Sequence, residues 1–290
     1  MTSSDELSEQ TNALRETLEN FDGIAEVTQE IGGLDYTLEL AIEDPALADQ
    51  ATRDALDAFH ESGVPKALAE KAANYEAEPR VTLSIVEPGT SGNGPHLDLP
   101  ISTDLSTDTI ATAAVTWVTM SAIEGIRLYA ASFTSSGFAM ECAVDFEGLL
   151  AGVRPPAAIA ELNQILTDNG YDPAESSIKP AISAPEVLNS VGGEEKSVRG
   201  SRFVNAHDPV QAIAGPNYGS VLYFIPGDYE VDMYVLPKLA EDGTLLPLDL
   251  TEESVSVARQ EIQAQYLYTA WELRDVIVFT QDGTQVFGPQ

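Results

Sequence analysis

The sequence between residues 96 and 184 constrains the fold most, because strand and helix patterns follow one another in it without interruption. Alternating apolar and polar residues indicate strands, and apolar residues at three- and four-residue spacing indicate helices. The predicted elements are a strand at 96–102, a helix at 106–124, two strands around Ser135-Ser136-Gly137, a helix at 156–168 and a strand at 177–184. This order, βαββαβ, is typical of the split-βαβ or ferredoxin-like fold, so we predict an α+β protein with antiparallel sheets.

Incomplete versions of the same unit flank this stretch. Residues 11–88 give the order αββαβ, with Asp44-Pro45 at the start of the central helix as cap and first helical residue. In the strand before it, Tyr36, Leu38, Leu40 and Ile42 are expected to face inward. Residues 218–290 give ββαββ, with one long helix predicted at 252–273. The sequence therefore predicts tandem ferredoxin-like units.

The remaining segments are predicted to be connections. Residues 1–10 are polar and are expected to be a disordered lead, whereas Pro and Gly residues mark 89–95 as a linker. Residues 185–217 show little periodicity and are predicted to be a long loop. The first unit lacks its first strand, so we expect a strand from 218–236 to pair with it or pack over it.

The two helix-to-strand joints, Asp22-Gly23-Ile24 and Glu124-Gly125-Ile126, are alike, and each is followed by alternating strands. On these joints the chain resembles the uncharacterised ferredoxin-like repeat proteins, often secreted lipoproteins, of high-GC Gram-positive bacteria. The resemblance covers most of residues 11–184, with 228–288 as a further candidate region. It implies a tandem-repeat fold and an extracytoplasmic location, but no activity. The lipid-attachment cysteine of such lipoproteins is absent from this sequence.

The charge is strongly acidic along the whole chain, with 47 acidic and 14 basic residues and a formal net charge of −33. Such a surface repels phosphate groups, so we expect neither nucleic-acid binding nor direct binding to anionic membranes. The single cysteine, Cys142, lies in an alternating stretch and is expected to be a buried, unreactive thiol. The polar opening is interpreted as that of a mature secreted chain without its leader, and a cytoplasmic location is the alternative.

No cluster of residues has the spacing of a known catalytic or metal site. His60, His96 and His207 stand apart from one another, so we predict no metal and no cofactor. Asp98, Asp104 and Asp108 lack the spacing of a calcium loop, and a solvated strand face with helix capping by Asp104 or Ser106 explains them better.

Two features stand out as sites for a ligand or partner. Lys196, Arg199 and Arg202 form a basic island that could receive a carboxylate or pair with the protein's own acidic surface. Tyrosines are dense between residues 218 and 268, where Tyr218 is a candidate contact residue and core packing is the alternative. His207, followed by Asp208, completes the candidate set.

These observations favour a non-catalytic extracytoplasmic binding or scaffold module that engages a protein or cell-envelope partner. The alternative is a small-molecule-binding protein or enzyme with its site between the units, near residues 189–217. A cytoplasmic effector-binding regulator is a third possibility, by analogy with other ferredoxin-like proteins. The sequence does not determine the oligomeric state.

Overall fold

The computed structural model describes residues 3–75, 77–89, 94–101, 105–124, 126–134, 137–145, 155–183, 207–227, 230–265, 272–281 and 283–288. These residues form a mixed α+β protein with seven helices and two mixed sheets, which confirms the predicted α+β class. None of the described helices is long and apolar enough to cross a lipid bilayer.

The helices are α1 (Ser3–Leu18), α2 (Pro45–Glu61), α3 (Val64–Ala73), α4 (Thr107–Ser121), α5 (Pro155–Asp168), α6 (His207–Ala214) and α7 (Glu252–Gln265). The strands of the larger sheet are β1 (Ile24–Gly32), β2 (Asp35–Ile42), β3 (Arg80–Val86), β4 (His96–Pro100), β5 (Ile126–Thr134), β6 (Gly137–Asp145) and β7 (Ser177–Ser183). The strands of the smaller sheet are β8 (Tyr218–Gly227), β9 (Glu230–Pro237), β10 (Glu272–Thr280) and β11 (Gly283–Phe287).

Two compact units divide the chain. The first comprises residues 1–142 and 161–179, and the second comprises residues 143–160 and 180–290. Most of the seven-stranded sheet belongs to the first unit, and the four-stranded sheet belongs to the second.

Strands of the larger sheet are neighbours in chain order, from β1 to β7. The antiparallel hairpins β1–β2 and β3–β4 alternate with parallel pairs, β2–β3 across α2 and α3 and β4–β5 across α4. The tandem ferredoxin-like arrangement is not confirmed, because a split βαβ unit inserts another strand between the two that its helix connects. Here β4 and β5 pair directly, and the sheet is mixed rather than antiparallel.

The predicted linker at 89–95 connects two paired strands. The Glu87 N–H donates to the Pro95 carbonyl at 3.2 Å, and Val86 lies opposite His96, whereas residues 90–93 are outside the described part. Residues 11–88 and 96–183 therefore contribute to one sheet. The expectation that a strand from 218–236 pairs with the first segment is wrong, because β4 occupies the position beside β3, whereas the alternative that such a strand packs over it stays a prediction. Strands β8 and β9 pair with each other instead.

Helix α1 begins at Ser3, which corrects the predicted disordered lead for residues 3–10. Leu7 is buried, and it continues the stripe formed by Leu14 and Leu18 toward the N-terminus. Residues 3–10 contain a single large apolar residue, Leu7, among Ser, Asp and Glu, so the sequence shows no helical periodicity there. Packing of this stripe, rather than local propensity, accounts for the additional turns.

One face of the seven-stranded sheet packs against helices. Tyr36, Leu38, Leu40 and Ile42 are all buried, which confirms their predicted inward orientation. The Tyr36 ring stacks on Phe59 of α2, with ring centroids 5.8 Å apart and an interplanar angle of 20°. The buried Leu83 and Ile85 of β3 pair in register with Leu38 and Leu40, and in turn they pair with the buried Leu99 and Leu97 of β4.

Local signals define the helix starts. The Asp44 carboxylate accepts a hydrogen bond from the Ala46 N–H at 2.9 Å, and the Ser106 hydroxyl accepts one from the Thr109 N–H at 3.2 Å. The predicted caps Asp44 and Ser106 are confirmed. At the α1–β1 joint, Gly23 has a φ of +88°, and a Cβ there would lie 2.8 Å from the Leu47 Cβ. Only glycine fits that position.

The second unit contains a four-stranded sheet in the order β11-β10-β9-β8. Its core includes Val231, Met233 and Val235 of β9, packed with Val255 and Ile262 of α7. The predicted helix 252–273 is too long, because α7 ends at Gln265 and Leu273 belongs to β10. The Gln263 side-chain carbonyl accepts the Leu273 N–H at 3.0 Å and so joins the helix to that strand.

The predicted long loop at 185–217 is partly outside the described residues, which resume at residue 207. Helix α6, His207–Ala214, corrects the prediction for its C-terminal part. Val210 and Ala214 are buried in the core of the second unit.

Candidate functional site

The face of β1 to β4 that lies opposite their buried leucines and isoleucines is mostly polar. Residues that pair across strands share a face, so the register places Thr28, Glu39, Ser84 and Asp98 in one row across β1 to β4. The adjacent row contains Glu30, Thr37 and Thr82, and the row on the other side contains Val86 and His96. We call these nine residues of β1 to β4 the polar face.

A shallow depression of about 200 Å³ lies on this face. Its deepest contact joins two neighbouring strands, since the Ser84 hydroxyl donates to Asp98 Oδ1 at 2.9 Å and Ser84 is only 3% exposed. The His96 Nδ1–H donates a hydrogen bond to the Gly94 carbonyl oxygen, and the two atoms are 2.8 Å apart. The other ring nitrogen, Nε2, lies 4.0 Å from Asp98 Oδ2.

These three side chains do not have the geometry of an activated serine. In a catalytic triad the imidazole lies between the hydroxyl and the carboxylate and removes the hydroxyl proton. On the polar face the carboxylate of Asp98 lies between Ser84 and His96, and the hydroxyl donates directly to it. The Ser84 hydroxyl therefore keeps its proton and donates a hydrogen bond to the Asp98 carboxylate, and in this cluster the imidazole is not placed to remove that proton.

The carboxylates of the polar face influence one another. Burial raises the pKa of Glu39, and the negative charges of Glu30 and Asp98 raise it further, whereas His96 acts in the opposite direction. A cation that approached this face would relieve that repulsion. Among the described residues, no group of three or more His, Cys, Asp or Glu side chains has the geometry to hold a metal ion. The chemistry that the face supports is recognition of ammonium or guanidinium groups.

None of the residues selected from the sequence belongs to the polar face. Lys196, Arg199 and Arg202 are outside the described residues, and His207 begins α6 with its side chain outside them. Tyr218 starts β8, is 7% exposed and belongs to the core of the second unit. The structure brings no two of these five residues together in its described part, and their binding role stays a prediction.

Sequence reasoning did not identify the polar face as a site. In the sequence His96 stands apart from the other histidines, Asp98 fits a solvated strand face, and no spacing distinguishes Glu30 or Glu39. The available signal was the outward alternation of acidic and hydroxyl residues in predicted strands. Register alone brings Glu39, Ser84 and Asp98 into one row.

Cys142 is fully buried, as predicted, in strand β6. Burial raises the pKa of its thiol to about 11. The thiol is therefore protonated at neutral pH, and a protonated thiol is a weak nucleophile.

A scan against protein-family models and a search of curated proteins find no match to this chain.

Proposed function

We propose that this protein is a non-catalytic binding module that works outside the cytoplasmic membrane and engages a basic protein or cell-envelope partner. The observation that carries the proposal is the polar face, where Glu30, Glu39 and Asp98 lie on one side of adjacent strands. A rigid sheet that presents carboxylates and hydroxyls at fixed strand spacing suits the docking of lysine and arginine side chains.

The charge of the whole chain supports the same partner chemistry. A formal net charge of −33 creates a field that attracts basic surfaces and speeds their encounter, while it repels acidic ones. At the face itself, burial raises the pKa of Glu39, and the charges of Glu30 and Asp98 raise it further, so its carboxylate is destabilised. The charge of a bound cation counteracts this destabilisation, so binding favours the ionised form of Glu39 and strengthens as the pH rises through its pKa.

The proposal includes a tandem-repeat origin of the seven-stranded sheet. We propose that the helix–hairpin–helix–strand segments 11–88 and 96–184 are tandem copies of one unit. Strands β1, β2 and β3 match β5, β6 and β7 in element order and in sheet order, which supports the relation. Superposition of the backbones of β1–β2 and β5–β6 tests it, and unrelated backbone paths would contradict a repeat.

Binding is tested with a defined cationic probe, the peptide acetyl-Gly-Lys-Gly-Lys-Gly-Lys-amide, by titration calorimetry at low salt. The triple variant E30Q/E39Q/D98N removes the carboxylates of the polar face. A matched control, E6Q/E9Q/E16Q, removes three exposed carboxylates from α1 and changes the net charge equally.

We expect the polar-face variant to raise the Kd of the peptide about tenfold. Three partly exposed ion pairs of about 0.5 kcal/mol each sum to about 1.5 kcal/mol, which corresponds to that factor. The control should keep the Kd within about twofold of wild type. Equal weakening by both variants would show that the peptide senses only the overall charge, and the polar face would not be the site.

The extracytoplasmic location is tested separately in cells that produce the protein from its native gene. External protease should degrade the protein in intact cells. Protection in intact cells, with degradation only after lysis, would favour the cytoplasmic alternative.

A further inference from the structure

Four strands form the edges of the two described sheets, and three of them carry features that discourage pairing with another chain. Strand β1 has Glu26 and Glu30 and a register shift at its start. Strand β7 has Lys179 and Pro180. Strand β8 has Pro226 and two register shifts. Charges, prolines and bulges are the means by which proteins protect sheet edges.

The fourth edge, β11, has none of these features. Its sequence, Gly-Thr-Gln-Val-Phe, contains no charged residue and no proline, although 21% of the chain is charged. It pairs with β10 over five consecutive positions without a register shift. Residues 283–286 are exposed, and Val286 keeps 56% of its surface accessible. An exposed, regular and uncharged edge of this kind is a template for an additional strand.

A groove of about 700 Å³ runs beside this edge, between α7 and strands β10 and β11. Gln285 and Phe287 pair with Val278 and Val276, so their side chains share the core side of the sheet. The Arg259 guanidinium donates to the Phe287 carbonyl at 2.5 Å, which anchors the end of β11 against α7. The groove therefore gives space for alternate side chains of an added strand, and its volume is typical of binding sites.

We propose that β11 accepts an extended segment of a partner protein as a fifth strand, with alternate side chains of that segment in the groove. The segment would be rich in β-branched residues, which suit a pleated surface, and flanked by basic residues. Residues 185–290 contain sixteen acidic and six basic residues, and Glu252 and Glu272 line the groove. A second copy of this chain is the less favoured occupant, because two chains of charge −33 repel each other.

This site uses the smaller sheet and does not depend on the polar face. The probe is the peptide acetyl-Lys-Thr-Val-Thr-Val-Thr-Val-Lys-amide, and its control has proline at the two central positions, which removes N–H donors and breaks strand pairing. The variant Gln285→Lys places a charge on the edge. Gln50→Lys makes the same change on the exposed surface of α2.

We expect the β-branched peptide to bind the full-length protein with a Kd below about 1 mM, as measured by an NMR chemical-shift titration. It should slow amide hydrogen exchange at residues 284–286. Q285K should raise the Kd at least about tenfold, Q50K should leave it unchanged, and the proline peptide should not bind at about 1 mM. Exchange rates in β10 verify that Q285K is folded.

The proposal would be overturned by no binding of the β-branched peptide at about 1 mM, by equal binding of the proline peptide, or by unchanged affinity of Q285K. A concentration-dependent dimer of the wild type that Q285K abolishes would show that the occupant is a second copy. Loss of peptide binding in E30Q/E39Q/D98N but not in Q285K would assign the peptide to the polar face.

Discussion

Replacement of Tyr36 by phenylalanine should stabilise the protein. Tyr36 is fully buried, and its hydroxyl has no hydrogen-bond partner among the described residues. A buried polar group without a partner costs about 1–3 kcal/mol of desolvation. The substitution removes that hydroxyl and keeps the ring, so the stacking on Phe59 is retained. We therefore expect Y36F to raise the free energy of unfolding by about 1–3 kcal/mol.

The gain has a defined pH dependence. Burial raises the pKa of Tyr36 above its ordinary value. Above about pH 10 the unfolded chain releases the Tyr36 proton and the folded chain keeps it, so this residue lowers the stability of wild type there, and Y36F lacks that contribution. The advantage of Y36F should be constant from about pH 6 to 9 and should increase above that range.

Thermal unfolding, followed by circular dichroism, measures the stability of Y36F relative to wild type. For a unit of this size, each kcal/mol of added stability raises the Tm by about 2–4 °C. Tyr75→Phe is the matched control, because Tyr75 is 68% exposed and its hydroxyl is in water. Its free energy of unfolding should change by less than about 0.5 kcal/mol. A Y36F protein that unfolds at a lower temperature than wild type would show that the Tyr36 hydroxyl is satisfied, and the reasoning would fail.

Two further predictions concern an ion pair and the cysteine. The Arg274 guanidinium donates to both carboxylate oxygens of Asp232, which is 3% exposed, so R274M leaves a buried charge unpaired. We expect R274M to cost about 2–3 kcal/mol in urea denaturation. R53M breaks ion pairs with the exposed carboxylates of Asp49 and Asp108 and should cost no more than about 1 kcal/mol, so equal costs would contradict this account. Native Cys142 should react with a maleimide only as fast as the protein opens, and rapid stoichiometric labelling at neutral pH would refute its burial.

Elements whose signal is local could be predicted from the sequence. The alternation in β2 identified its four inward residues, and the polar residues Asp44 and Ser106 identified two helix starts. The end of α7 could not be predicted in this way. No glycine or proline interrupts residues 252–273, and the strand pairing of Leu273 with Val231 determines where the helix has ended.

Strand adjacency could not be predicted, because the same element order is compatible with different sheets. The string βαββαβ fits both a split arrangement and the observed sequential one. The position of β4 decides between these two strand orders. Its residues His96, Leu97 and Asp98 pair on one side with β3 and on the other with β5. Such pairings between distant segments leave no periodic signal in the sequence.

The candidate site depends on the same information. Glu39 and Asp98 are 59 residues apart in the sequence, and Ser84 lies opposite both of them only because the registers of β2–β3 and β3–β4 coincide. A row of this kind becomes visible once the strand order is known. For this reason the sequence predicts sites only from residues that are close together in the chain, such as Lys196, Arg199 and Arg202. It does not predict the polar face.

The central claim is that the polar face binds cationic groups of a partner, and amide chemical-shift mapping by NMR tests it most directly. The lysine peptide is titrated into isotope-labelled full-length protein at low salt. We expect the largest shifts at Glu39, Ser84 and Asp98, with much smaller shifts at the acidic residues of α1. Shifts spread evenly over the acidic surface, or concentrated outside β1 to β4, would contradict the claim.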